Sequence, residues 1–179
     1  IAMRLPDTLS SERETLQEVE KEAIFNLLNQ VIKDIESYRR DEGKALEKDF
    51  LKRIDLIEGH LTSVIKIDPE RSDKIEQKLR SALDDLKIEV DTNRFEQELI
   101  FYLEKFDITE EKVRLKNHLD YFKEVMKNDF PNGKKLGFIA QEMGREINTI
   151  GSKANHAELQ KVVVQMKDEL EKIKEQLLN

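Results

Sequence analysis

No cysteine occurs anywhere in the 179 residues, so disulfide frameworks, thiolate zinc sites and cysteine nucleophiles are all excluded. Glycine and proline are scarce, at 6 and 3 residues, and β-branched or aromatic residues never alternate with polar ones for long, so a sheet is not expected. No apolar run approaches the ~20 residues that a membrane span needs, and no membrane partner is expected. The opening Ile1-Ala2-Met3-Arg4-Leu5-Pro6 does not make a signal peptide, because a charge and a proline interrupt a very short apolar stretch. A soluble, cytoplasmic protein is the default expectation. Phosphate-loop, dinucleotide, zincin and nucleophile-elbow motifs are all missing, and no organic cofactor is expected.

What is present is charge. Charged residues make up 39% and hydrophobic residues 38%, a mix that suits long amphipathic helices better than a thick globular core. The net charge of −7, from 38 acidic and 31 basic residues, repels a phosphate backbone. Any nucleic-acid contact must therefore come from a local basic cluster, a bound metal, or parts of the protein beyond this stretch.

The apolar residues recur at helical spacing almost throughout. Ser11 and Glu14 have the form of a capping box, followed by Leu16, Val19, Ala23, Leu27, Val31 and Ile35. The pattern resumes past Gly43, which marks either a kink or a close backbone approach, with Leu46, Phe50, Ile54, Ile57, Leu61 and Ile65. Asp68-Pro69 is expected to stop that helix and start another bearing Ile75, Leu79, Leu83, Leu86 and Val90. The apolar face shifts near Asp91, and Phe95, Leu99, Tyr102, Leu103 and Phe106 follow. Asp107 and Glu110 have the form of a second capping box before Leu115, Leu119, Phe122 and Met126. A turn at Asp129–Gly133 leads to Ile139, Met143, Ile147 and Ile150, and a break near Gly151 to a last helix. That helix spaces Leu159, Val163, Met166, Leu170, Ile173 and Leu177 alternately by four and three, as in a short coiled coil or a helix packed on its neighbours. The fold expected is all-α: an elongated bundle of long amphipathic helices with helical-hairpin or coiled-coil arms. It is read as one domain over 1–179, with 1–67 and 68–179 as candidate sub-lobes.

Three helices carry charge where a core does not require it. Arg94 and Glu98 share one flank of their apolar stripe; Glu111, Arg114 and His118 line the edge of the next; Glu142, Arg145, Glu146, Thr149 and Lys153 line the edge of the helix after the turn. A flank residue sits half inside a helix–helix groove, where the dielectric is lower than in water. Carboxylates, an imidazole and guanidinium groups converging there could hold a divalent metal and a phosphate together. The plainer reading is that Glu and Arg at these spacings form ion pairs worth a few tenths of a kcal/mol. His60 and His156 are left as surface residues.

The run Gln141-Glu142-Met143-Gly144-Arg145-Glu146-Ile147-Asn148-Thr149-Ile150-Gly151-Ser152-Lys153 resembles the signature Q-E-x-x-R-E-x-N-T-x-x-S-K of the YicC/YloC-like endoribonuclease family. Asn93-Arg94-Phe95-Glu96-Gln97-Glu98-Leu99 is similar to its N-R-x-x-Q-E-L motif, and Glu110 to His118 to its E-E-x-x-R-L-x-x-H motif. The ending from Met166 to Gln176 is similar to the family's closing helix, and Arg40, Glu42 and Gly43 match a weaker R-x-E-G pattern. In this order and spacing the motifs are specific, and they cover essentially the whole chain.

The resemblance implies a divalent-metal-dependent endoribonuclease acting on RNA and assembling as a homo-oligomer, a hexamer in the full-length protein. Carried over motif by motif, Glu98, Glu111, His118, Glu142 and Glu146 become candidates for metal binding and acid–base work. Arg94, Arg114, Arg145 and Lys153 would contact phosphate, while Gln97, Gln141, Asn148 and Thr149 would orient the other groups by hydrogen bonds. Carboxylate and imidazole ligands suit manganese or magnesium better than zinc. The family opens with an N-terminal domain beginning S-M-T-G-F/Y-G, and nothing like that occurs here. The sequence is therefore expected to be the C-terminal helical portion, needing the absent domain for full activity. The competing expectation is a non-catalytic helical oligomerisation or interaction module whose charged flanks only hold helices in register.

Overall fold

The computed structural model describes residues 16–85, 92–128, 131–154 and 156–178, and every element among them is a helix. The elements are α1 (Glu18–Asp85), α2 (Thr92–Phe106), α3 (Thr109–Met126), α4 (Gly133–Lys153) and α5 (Ala157–Leu178). The all-α expectation holds. The Ser11–Glu14 capping box, Leu86, Val90 and Asp91, and the turn residues Asp129 and Phe130 lie outside the described residues.

The chain divides into two units, residues 1–45 and 46–179. In the first, the helical residues leave Val19, Phe25, Leu27, Leu28, Val31, Ile32, Ile35 and Tyr38 more than half exposed. Gly43 has nothing within 4 Å of where a Cβ would sit, so its place in the helix does not answer to a close backbone approach.

The second unit is built around four antiparallel apolar seams. Phe50, Ile54, Ile57, Leu61 and Val64 of α1 join Leu115, Leu119 and Phe122 of α3, Ile139, Met143, Ile147 and Ile150 of α4, and the Leu159-to-Ile173 seam of α5 in one core. Phe50 meets Phe122 edge to face, with ring centroids 6.1 Å apart. The four–three spacing of α5 is thus consumed as core rather than displayed as a free arm. Where α4 and α5 approach, glycine eases the packing: a Cβ on Gly151 would lie 3.0 Å from Cγ1 of Val163, which would have to shift by a few tenths of an ångström. Gln160 then closes α4 by donating its side-chain amide to the carbonyls of Gly151 and Ala154.

Two expectations about helix ends are corrected. Asp68-Pro69 does not break the chain: α1 runs through Pro69 to Asp85. A proline there removes a backbone donor and crowds the carbonyl four residues earlier, at a cost of about 3 kcal/mol. The offset is tertiary. Asp68 accepts from Arg71 at 2.7 Å and from Lys112 of α3 at 2.7 Å, so its carboxylate ties two elements together instead of capping a new helix. Asp107 likewise is not the N-cap of α3; Ile108 holds that position. Asp107 accepts from the Thr109 amide at 3.0 Å and the Thr109 hydroxyl at 2.7 Å, and Glu110 pairs with Arg114 instead of reaching back. Burial alone would raise the Asp107 pKa, but the Thr109 hydrogen bonds bring it below the ordinary value.

Charges on the outer edges fix α1 against α3 and α5. Glu58 accepts from Lys116 and Lys123 at 2.8 Å each, and Arg53 reaches Glu169 at 3.0 Å. Hydrogen bonds from Lys116 and Lys123 hold the Glu58 carboxyl below the usual carboxylate range. The stability it contributes is full above that range and is lost as pH falls through the depressed value. Urea denaturation is expected to show a steeper acid loss for the wild type than for Glu58→Gln, the two differing by about 0.5–1 kcal/mol at neutral pH. In the same assay Gly151→Leu should cost about 1–3 kcal/mol by overpacking against Val163, and an unchanged midpoint would count against the close α4–α5 approach.

Candidate functional site

α3 and α4 form an antiparallel hairpin closed by Asn132, whose side-chain amide donates to the carbonyls of Val125 and Asn128 at 2.9 and 3.1 Å. Of the flanking residues expected on these two helices, Glu111 and Lys153 come together. Glu111, only 5% exposed, accepts from Lys153 at 2.8 Å, and Lys153 also donates to the Asp107 carbonyl at 3.0 Å. The second Glu111 oxygen, Oε2, is buried without a hydrogen-bond partner.

That pair fixes the register. His118 lies seven residues beyond Glu111, and Glu146 seven residues before Lys153, so each moves two turns along its own helix, or ~10.5 Å at ~1.5 Å per residue. In an antiparallel pair these shifts coincide, and His118 and Glu146 stand at one level on the facing edges of α3 and α4. His118 is half-buried. Glu146 is 9% exposed and makes no hydrogen bond or ion pair with any described residue. Its residual exposure is at the carboxylate, which is not among the enclosed unpartnered atoms, so Glu146 differs from the paired charges around it in facing solvent rather than a cation.

The remaining candidates fall into two groups. Glu142 stays on the same edge, one turn before Glu146, and pairs with Arg145 at 2.7 Å. Thr149 is half-buried there and turns its hydroxyl back to the Arg145 carbonyl at 3.1 Å. Arg114 and Arg145 are exposed at the outer margin, each held by a neighbouring glutamate. Gln141 and Asn148 are exposed on the outward side of α4, by the ~100° turn per residue from Glu146. Arg94, Gln97 and Glu98 are exposed on α2. Among the described residues no three histidine, aspartate or glutamate side chains gather as a metal-binding group. Two of the three charged flanks therefore meet within one chain, and the α2 flank is not joined to them in a ligand cluster.

The polar junction at Asp68, Arg71 and Lys112 was not singled out in the sequence. Arg71, 2% exposed, donates to Asp68 and to the Phe106 carbonyl at 2.8 Å, and its Nη1 is buried without an acceptor. The spacing of Asp68 and Arg71, i and i+3 beside a proline, was the available signal. His156, read as a surface residue, is half-buried with its Nδ1 enclosed and unpartnered, and His60 is half-buried as well.

The family described as Endoribonuclease YicC-like, C-terminal, matches residues 64–179, a stretch that contains the whole α3–α4 face. The chain belongs to that family. It is 36% identical over 184 residues to the probable endoribonuclease YicC of Clostridioides difficile (strain 630), covering 98% of this chain and 61% of that protein. It is 27% identical over 177 residues to the probable endoribonuclease YicC of Haemophilus influenzae, covering 99% of this chain and again 61% of the relative. The chain thus spans about three fifths of the length of these YicC relatives. No helix among the described residues is long and apolar enough to cross a membrane.

The Glu111–Lys153 pair can be tested apart from any activity. Lys153→Met leaves a buried carboxylate unpaired and is expected to cost about 2 kcal/mol in urea denaturation. Adding Glu111→Gln should return about 1 kcal/mol relative to the sum of the single substitutions. Strict additivity would mean that the two groups are not coupled.

Proposed function

We propose that this chain is the C-terminal helical module of an endoribonuclease that hydrolyses phosphodiester bonds in RNA with a divalent metal, and that its α3–α4 face supplies the acid–base groups. The observation that carries the reading is the Glu111–Lys153 pair, whose register, by the equal rise of the two helices, would bring His118 and Glu146 to one level in a chain of this family. Oxygen and imidazole donors of this kind fit manganese or magnesium, which bind through one or two protein groups and complete their shells with water and phosphate oxygens. Glu146 and His118 would hold the ion, with Glu98, Glu111 and Glu142 as further donors brought in by substrate or by a second copy. Such an ion supplies charge neutralisation at the scissile phosphate.

The chain's own groups do the rest. The His118 imidazole offers a nitrogen to take up or give a proton, as the attack on a phosphodiester and the departure of its leaving oxygen require. Arg114 and Arg145 sit in solvent-exposed ion pairs that cost little to exchange, so a phosphate can take the place of Glu110 and Glu142. Lys153 is committed more deeply, to Glu111 and to the Asp107 carbonyl, and would contact phosphate only by sharing. Arg94 on α2 adds a further cation, while Gln97, Gln141, Asn148 and Thr149 offer neutral hydrogen bonds at the rim. The acidic net charge leaves bulk RNA attraction to the remaining part of the longer protein, whose N-terminal portion is proposed to be needed for full activity.

The alternative, a non-catalytic assembly module, draws on the exposed apolar residues of the first unit, among them Leu27, Val31 and Ile35. The two readings are compatible in a homo-oligomer, proposed to be hexameric in the longer protein, where a second copy would cover that surface. Cleavage of a structured, labelled RNA with manganese separates them. The longer protein should cut, EDTA should stop it, and His118→Ala with Glu146→Ala should slow cutting by at least about 100-fold. Cutting at the wild-type rate by that variant would leave the flanks structural and favour the assembly reading.

A further inference from the structure

A second concave site lies away from the His118–Glu146 level, where α1, α2 and the start of α5 meet. It is a groove of about 360 Å³ lined by Arg71, Lys74, Lys78, Tyr102, Phe106 and His156. All its charged lining residues are basic or imidazole, in a chain whose net charge is −7. Tyr102 and Phe106 stand one turn apart on α2 with ring centroids 4.7 Å apart and planes tilted by 50°. Ile75 and Leu79 supply an aliphatic wall.

The polar groups of the groove are incompletely matched from within. Nη1 of Arg71 and Nδ1 of His156 are both buried with no hydrogen-bond partner among the described residues. Such groups cost about 1–3 kcal/mol each when left unsatisfied. Lys74 pairs with Glu70 in an exposed bridge and also feels Glu158, whereas Lys78 is exposed and has no partner among the described residues. Cations able to hold a phosphate and a pair of rings able to stack a base are the parts of a single-stranded nucleic-acid subsite.

We propose that this groove binds one nucleotide of single-stranded RNA, its base on Tyr102 and Phe106 and its phosphate near Lys74 and Lys78. The proposal rests on the reading of the chain as part of an RNA-cutting enzyme and assigns that enzyme a strand-holding site separate from the chemistry. Because Arg71 also holds the Phe106 carbonyl and Lys153 holds the next carbonyl, at Asp107, the groove and the α3–α4 face share one connector. A strand held in the groove is thereby placed beside the end of that face.

The test is fluorescence anisotropy with a labelled, single-stranded 2′-O-methyl oligonucleotide of about 12 nucleotides, in EDTA so that nothing is cut. Tyr102→Ala is expected to weaken binding about 10-fold. Replacing Lys74 and Lys78 together by Ala should lower the slope of log affinity against log salt by about 1.4. An oligonucleotide abasic throughout should bind about 10-fold more weakly than the parent to the wild type, and equally to Tyr102→Ala. These positions are exposed, and circular dichroism melts establish that the variants are folded. Wild-type affinity in both variants, or no binding by the wild type, overturns the groove while leaving the cleavage test untouched. Full displacement by equimolar adenosine monophosphate or by poly-glutamate would also overturn it, making the groove a free-nucleotide or acidic-peptide site. Conversely, groove-dependent binding by a protein whose longer form cuts no RNA sustains the groove and defeats the nuclease reading.

Discussion

A guanidinium withdrawn from water must find acceptors, and in this molecule the search by Arg71 organises the junction of three helices. Its side chain is 2% exposed; it donates twice to Asp68 and once to the carbonyl that ends α2. Asp68 in turn is shared with Lys112 of α3. The cluster lets α1 pass through Pro69 without stopping, sets where α2 ends, and pins the start of α3. Breaking one member of such a buried set leaves the others uncompensated, which is why its geometry constrains more than its net energy would suggest.

From that junction the apolar seams run the length of the second unit, and the register of α3 on α4 follows. The Glu111–Lys153 contact is its readable mark. Once that pair is formed, His118 and Glu146 have no choice of level, since both helices climb at the same rate. The chemistry proposed for this face is therefore a consequence of helix register and not of any local motif taken alone. The residues concerned all fall inside the stretch that the family matches.

Much of this was legible in the residues themselves. The helical periodicity located α2 to α5 and split α1 in two at Pro69, the four–three spacing of Leu159 to Ile173 announced a packed seam, and the charged flanks of α3 and α4 stood out because a core does not require them. What could not be read depends on contacts between distant residues. Pro69 reads as a helix start until Lys112 and the Phe106 carbonyl are placed beside Asp68 and Arg71. Asp107 with Glu110 reads as a capping box until Arg114 takes the Glu110 carboxylate. Gln160 carries no local hint that it will terminate the preceding helix. The convergence of three flanks was the boldest expectation; the Glu111–Lys153 pair joins two of them, and among the described residues no acidic or histidine cluster gathers all three.

Consecutive carbonyls at Phe106 and Asp107 are gripped by cations from two different helices, Arg71 of α1 and Lys153 of α4. Ile108, the next residue, is fully buried. The link between α2 and α3 is thus a pivot with no slack, and not a loop. A displacement of α2 about those two peptide groups would therefore strain the hydrogen bond of the very lysine that pairs with Glu111.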